Sequence, residues 1–186
     1  MGQTEQKEIQ KHLEKAMGSK SPASGSAVEE NGSSQVKKKI LLVDDDSAIR
    51  RILLRVLSGE GYSVLTAANG EEALEFAAAG NFDLVLLDLN MPEKDGWETF
   101  EELTEFHPLL PVIVITARPN QIFPALAAGV GALLEKPLDL NRLLEEIPRL
   151  LAEPRQIRLA RLAGRPSVFS YVPPGENHDK SEILKK

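Results

Sequence analysis

A parallel α/β sheet covered by helices on both faces is the fold predicted here, and three observations predict it. From Lys38 onward, short apolar runs alternate strictly with stretches of helical periodicity, the pattern of strand–helix–strand crossovers. Four of the runs end on polar residues: Ile40-Leu41-Leu42-Val43 before Asp44-Asp45-Asp46, Leu84-Val85-Leu86-Leu87 before Asp88, Val112-Ile113-Val114-Ile115 before Thr116, and Ala132-Leu133-Leu134-Glu135 before Lys136. At 186 residues the chain has room for one domain of ordinary size plus tails.

The elements follow in order. Strands are predicted at about 39–43, 62–66, 83–87, 111–115 and 131–135, with helices between and after them at about 47–58, 70–79, 97–106, 119–128 and 139–151. In the first helix Ile49, Ile52, Leu53, Val56 and Leu57 share one face, and Gly59 and Gly61 close it. Asn69 with Glu72 three residues on makes a capping-box-like start for the second, which Gly80-Asn81 stops. Pro119 suits a helix's first turn, but Pro124 removes an interior-type hydrogen bond, so the fourth helix is expected to be short or irregular. Right-handed crossovers put helices on both faces.

Composition excludes several classes. The chain has no cysteine and no apolar run of membrane-spanning length or signal-peptide character, so a soluble, cytoplasmic protein is expected, with no membrane partner. Residues 38–152 hold ten basic and nineteen acidic groups, a net charge of −9, whereas residues 153–186 hold seven and four, a net of +3. An acidic body with a mildly basic tail argues against a nucleic-acid partner. His12, His107 and His178 lack metal-like spacing.

If the runs are parallel strands, their ends share one edge, where an acid pair, a lone Asp, a hydroxyl and an ammonium meet in a cleft. Singly, each residue has an ordinary reading: Asp46 or Ser47 as a helix cap, Asp88 as a turn Asp, Thr116 as a strand-end Thr, Lys136 as a surface Lys. Their conjunction carries the argument. Val43-Asp44-Asp45, Leu87-Asp88-Leu89-Asn90-Met91-Pro92 with Asp95-Gly96, Ile115-Thr116-Ala117 and Glu135-Lys136-Pro137 resemble, in order and spacing across residues 38–152, the receiver domain of two-component response regulators. That family is flavodoxin-like, with five parallel strands in the order 2-1-3-4-5 and five helices.

The resemblance implies a phosphoacceptor rather than a turnover enzyme. Asp88 would accept a phosphoryl group as an acyl phosphate, with Thr116 donating a hydrogen bond and Lys136 a point charge to it. Asp44, Asp45, Asp88 and the backbone carbonyl of Asn90 would hold Mg²⁺, which favours oxygen ligands and takes few carboxylates. The donor would be a sensor histidine kinase or a histidine phosphotransfer protein, the output an unknown downstream protein, and phosphorylation could bring a homodimer. Lys136-Pro137 is cis in the family.

Three features depart from the family or compete with it. Leu133 stands three positions before the Lys, where the family commonly has a switching aromatic; Arg118, two beyond Thr116, sits where the family tunes dephosphorylation, and would lean over the phosphoryl group or pair with an acid such as Glu93. Asp44 and Asp46 also spell the Asp-x-Asp of haloacid-dehalogenase-like phosphatases, a lesser alternative that leaves Asp88, Thr116 and Lys136 without a reason. The main alternative is a constitutive receiver-like scaffold whose tails bind partners whether or not Asp88 is phosphorylated.

The flanks read differently. Residues 1–37 are predicted to be a disordered extension: 4–17 a marginal helix, 18–36 a linker with six Ser, three Gly and one Pro. After Leu151, a basic amphipathic helix at about 154–163 either presents its arginines to solvent or a partner or folds back on the acidic body. Residues 167–172 alternate like an edge strand that could pair with the sheet or a partner, and Gly175 onward reads as a polar, disordered end. Thirty-five residues beyond Leu151 are too few for a DNA-binding effector domain, so a stand-alone receiver is expected.

Overall fold

The computed structural model describes residues 36–92, 94–165 and 168–175. The expectations for residues 1–35, Glu93, Ser167 and residues 176–186, His178 among them, fall outside these described residues. Six parallel strands are described: β1 (Lys39–Val43), β2 (Ser63–Ala67), β3 (Leu84–Asp88), β4 (Val112–Thr116), β5 (Ala132–Glu135) and β6 (Ser170–Val172), in the order β2-β1-β3-β4-β5-β6. Six helices accompany them: α1 (Ser47–Gly59), α2 (Gly70–Ala79), α3 (Gly96–Phe106), α4 (Ile122–Ala127), α5 (Leu140–Leu151) and α6 (Arg155–Leu162). The predicted order 2-1-3-4-5 is therefore present, extended by one strand and one helix drawn from the C-terminal segment.

The central strands are apolar throughout because they are buried on both faces. Leu41, Val43, Val85, Leu87, Val112, Val114 and Leu133 point to the side packed by Ala73 and Phe76 of α2, Phe100 and Leu103 of α3 and Ala125 of α4. The alternate residues, among them Ile40, Leu42, Leu86, Ile113 and Leu134, point to Leu53 and Leu57 of α1 and Leu143, Ile147 and Leu150 of α5. Each fully buried side chain of this size contributes on the order of 1.5–3 kcal/mol, so strand register is strongly specified. Three predicted strands sit one residue further along than expected. At β4 the cause is visible: Pro111 has no N–H and contributes only its carbonyl, to Val85 N–H at 2.9 Å.

Caps fix where the helices begin. Asp46 accepts from the N–H groups of Ala48 and Ile49, Asn69 from Glu72, and Asp139 from Asn141 and Arg142. Asp95 and Glu98 form a capping box at α3. Helix α4 is only six residues long, carries no side-chain cap and contains Pro124, as the prolines predict. Two glycines permit close approach near the cleft. A Cβ on Gly96 would lie 2.4 Å from the carbonyl oxygen of Asp88, and one on Gly70 2.0 Å from Thr99 Oγ1.

The basic C-terminal helix folds back on the body, one of the alternatives its sequence leaves open, and two of its arginines turn inward. Arg161 is 4% exposed, pairs through both terminal nitrogens with Glu153, and donates from Nε to Gly129 O at 2.9 Å. Arg158 donates to the carbonyls of Leu109 and Leu150. The physical reason is that the carbonyls of Leu109, Gly129, Leu150 and Val168 and the Glu153 carboxylate lie within reach of this helix, and arginine offers five donors in a fork to meet them. Arg161→Met is expected to destabilise the protein by about 3 kcal/mol in urea unfolding, because Glu153 stays buried with only Arg158, at 3.5 Å, for charge partner.

Candidate functional site

Four strand ends converge at the carboxyl edge of the sheet, and the register explains why. Asp88 is the last residue of β3 and Thr116 the last of β4, held level by the pairing of Asp88 with Ile115 and of Thr116 with Glu135. Asp44 follows β1, and Lys136 follows β5, its N–H bonded to Thr116 O at 2.8 Å. The strand order places β1 beside β3 and β3 beside β4, so the acid pair, the lone acid and the hydroxyl become neighbours although far apart in sequence.

Asp44 and Asp88 are each 1% exposed, and one carboxylate oxygen from each of Asp44, Asp45 and Asp88 falls within a 4.8 Å group. Lys136 Nζ bridges the two buried acids, 2.6 Å from Asp88 Oδ2 and 2.9 Å from Asp44 Oδ2. Backbone N–H groups supply the remaining partners: Asp46 N–H donates to Asp44 Oδ1 at 2.8 Å and Asn90 N–H to Asp88 Oδ1 at 3.0 Å. Arg50 reaches back to the Asp44 carbonyl at 2.6 Å. Among the described residues no buried side-chain polar atom lacks a partner.

The electrostatics of this group are uneven. Burial pushes the Asp44 carboxyl above the usual range, by more than the hydrogen bond and charge of Lys136 pull it down. Burial alone would depress the Lys136 ammonium, but its hydrogen bonds to Asp88 and Asp44 outweigh that and raise it. Three acids against one ammonium leave an excess of negative charge, and two like charges about 4 Å apart repel by about 4 kcal/mol at an effective dielectric near 20. Hard oxygen donors so arranged suit a small divalent cation.

The other predicted residues fall nearby. Thr116 is fully buried; its hydroxyl donates to Asn90 Oδ1 at 3.0 Å and accepts from Arg118 N–H at 2.9 Å. Arg118 turns to Asp95, with both carboxylate oxygens within 3.1 Å of Nη1. Lys136-Pro137 is cis, as the resemblance implies, and Leu133 is fully buried beneath α4. Asp46 lies outside the acidic group because its carboxylate caps α1, which removes the second acid of the Asp-x-Asp reading. Sequence reasoning missed Asp95 as the partner of Arg118, the signal being Asp95-Gly96 ahead of a helix. Trp97 is tied to α4 by Nε1 donating to Gln121 Oε1 at 2.9 Å, and packs edge-on against Phe100.

Residues 40–148, more than half of the chain, match the model of the response regulator receiver domain. The chain belongs to the response regulator receiver family. Among solved structures it is similar to a CheY-like receiver domain protein from Methanospirillum hungatei, 34% identical over 62% of this chain and 94% of that one, with a TM-score of 0.60. It is also similar to the response regulator TrrA of Thermotoga maritima, solved in complex with Mg(2+)-BeF, at 35% identity over 61% of this chain and 98% of that one, TM-score 0.57. Among curated relatives, the transcriptional regulatory protein ZraR of Escherichia coli K12 is 38% identical over 71% of this chain and 31% of its own length. The DNA-binding transcriptional regulator NtrC of the same strain is 35% identical over 61% and 26%. The chain thus spans less than a third of the length of these relatives. As a receiver domain it is a signalling module rather than a turnover enzyme, and no helix among the described residues is long and apolar enough to cross a membrane.

The raised Asp44 pKa carries a sign that can be measured. A carboxyl whose folded-state pKa is raised stabilises the fold fully only below the unfolded value of about 3.8, and that contribution is lost as pH rises through the folded-state pKa. In EDTA at pH 7, Asp44→Asn is therefore expected to resist urea at least as well as the wild-type chain, with the order narrowing or reversing in acid.

Proposed function

We propose that this chain is a phosphoacceptor that takes a phosphoryl group from a phosphohistidine onto Asp88 and signals through protein contacts. The observation that carries the proposal is the position of Asp88. It is buried, at the end of a central strand, and its Oδ2 lies 2.6 Å from an ammonium that also holds Asp44. In the proposed reaction an Asp88 oxygen attacks phosphorus, the P–N bond to the donor imidazole breaks, and the imidazole leaves with the electron pair. Such transfer needs positioning and charge neutralisation more than covalent help. Lys136 can follow the phosphoryl oxygens from its place beside Asp88, and the Thr116 hydroxyl can exchange Asn90 for them.

The three carboxylates fit Mg²⁺, and Asp44, Asp45, Asp88 and the Asn90 carbonyl are the proposed ligands. When bound there, the ion would neutralise the excess negative charge and polarise the phosphoryl oxygens. Arg118 is proposed to shape water access near the cleft from its anchor on Asp95.

The proposed donor is a sensor histidine kinase or histidine phosphotransfer protein, and the proposed compartment is the cytoplasm. ZraR and NtrC are regulators of transcription by description; for this chain we propose output through a protein, because residues 38–152 carry a net charge of −9 and two C-terminal arginines are spent on internal partners. The proposed module comprises residues 38–152 with α6 and β6 as an integral edge.

Intact mass after incubation with a small phosphodonor and Mg²⁺ tests the reading. One added phosphoryl group, absent with EDTA and in Asp88→Asn, is the expected result. An adduct that persists in Asp88→Asn would move the acceptor elsewhere.

A further inference from the structure

The C-terminal strand does more than lengthen the sheet, because it grips the backbone on both sides of Lys136. Before the lysine, β6 pairs with β5 so that Tyr171 lies opposite Leu133 and Val172 opposite Leu134. Beyond it, Gly175 N–H donates to Pro137 O at 2.7 Å. Gly175 sits so close to that loop that a Cβ would lie 3.2 Å from Asp139 N and 3.3 Å from Pro137 O. Between these two anchors lie only Pro173 and Pro174, whose fixed φ makes the span stiff.

The strand itself is held from below and beside. Val172 is 3% exposed, and Ser170 Oγ donates to Glu146 Oε1 on α5 at 2.6 Å. Tyr171 and Glu135 stand two positions apart on one face of the β5–β6 pair, within reach of each other. Desolvation and then the Glu135 carboxylate push the Tyr171 phenol up.

We infer that residues 168–175 act as a strap that positions Lys136, with Tyr171 and Gly175 as the positioning residues, so that docking of the strap and occupancy of the Asp88 cleft favour one another. The inference rests on the phosphoacceptor reading above. Lys136 reaches the cleft from Glu135–Pro137, and that stretch is anchored to the strap at the strand's end and at Pro137. A side chain presented from a fixed base loses less freedom on engaging a new partner. Coupling of this kind is reciprocal: if the strap tightens binding in the cleft, binding tightens the strap by the same factor.

Hydrogen exchange by mass spectrometry on the full chain, with Mg²⁺ alone and with Mg²⁺ plus beryllofluoride, reads the coupling, while ¹⁹F NMR reports whether fluoride is bound. Exchange of the amides in 168–175 is expected to slow by about fivefold or more on occupancy, with no such change in Asp88→Asn. Gly175→Pro, which removes the N–H donated to Pro137, and Tyr171→Phe, which removes only the hydroxyl, are each expected to weaken beryllofluoride binding several-fold. Bound fluoride with unchanged exchange in 168–175, or with wild-type affinity in both variants, overturns the strap and leaves the phosphoacceptor reading standing. No bound fluoride overturns that reading, and the strap with it. The exchange measurement needs no substitution, so it decides the matter even where Gly175→Pro fails to fold.

Discussion

One ammonium group holds together an edge of the sheet that its own charges would open. Lys136 Nζ touches the two buried carboxylates that crowd the ends of β1 and β3, and without it Asp44 and Asp88 would face each other with only backbone N–H groups for partners. Burying a charge is costly unless it is paired and hydrogen-bonded, and replacing such a pair with apolar groups is often neutral or stabilising. The arrangement is therefore poor evidence for stability and good evidence for function. Nothing in the packing requires two acids there, since the layers on either side of the sheet are closed by Leu, Ile, Val, Ala and Phe.

The same constraint organises the surrounding loops. Gly96 lets α3 start against the backbone of Asp88 and Leu89, so the loop that carries Asn90 is pressed over the acidic group. Asp95 caps α3 and at the same time anchors Arg118, although burial works against its charge; the Trp97 N–H and Arg118 more than compensate and hold its carboxyl below the usual range. Thr116 is joined to the Asn90 side chain. The loops after β3 and β4 are thereby linked through side-chain hydrogen bonds, Thr116 to Asn90 and Arg118 to Asp95.

Much of this was legible in the sequence, for identifiable reasons. The strand-end residues Asp44, Asp88, Thr116 and Lys136 announced themselves because a parallel sheet brings the ends of all its strands to one edge, so spacing along the chain suffices to predict company in space. The short α4 was legible from Pro119 and Pro124. What stayed hidden depended on side-chain choice rather than pattern. Arg118 had several acids within reach, and only the capping geometry at Asp95 decides among them. Arg158 and Arg161 recur at a spacing that a solvated helix and a docked one share, and the difference lies in the carbonyls of Leu109, Gly129 and Leu150 that no periodicity reveals.

The C-terminal segment changes what the β5 edge can be used for. A bare edge strand offers its N–H and C=O groups to any extended partner, and here β6 already satisfies β5 along Ala132–Leu134. An extended partner could take that edge only by displacing a three-residue strand whose central residue is still 37% exposed. Phe123 and Leu126 on α4 are exposed, and Leu162 of α6 packs close to the Gly129 turn, where a Cβ would meet it at 3.3 Å. Leu133 is fully buried in β5, opposite Tyr171 of β6. On the strap proposed above, a change at Thr116, whose carbonyl accepts from Lys136 N–H, would pass along the backbone from Glu135 to Pro137 and into the segment bonded to it.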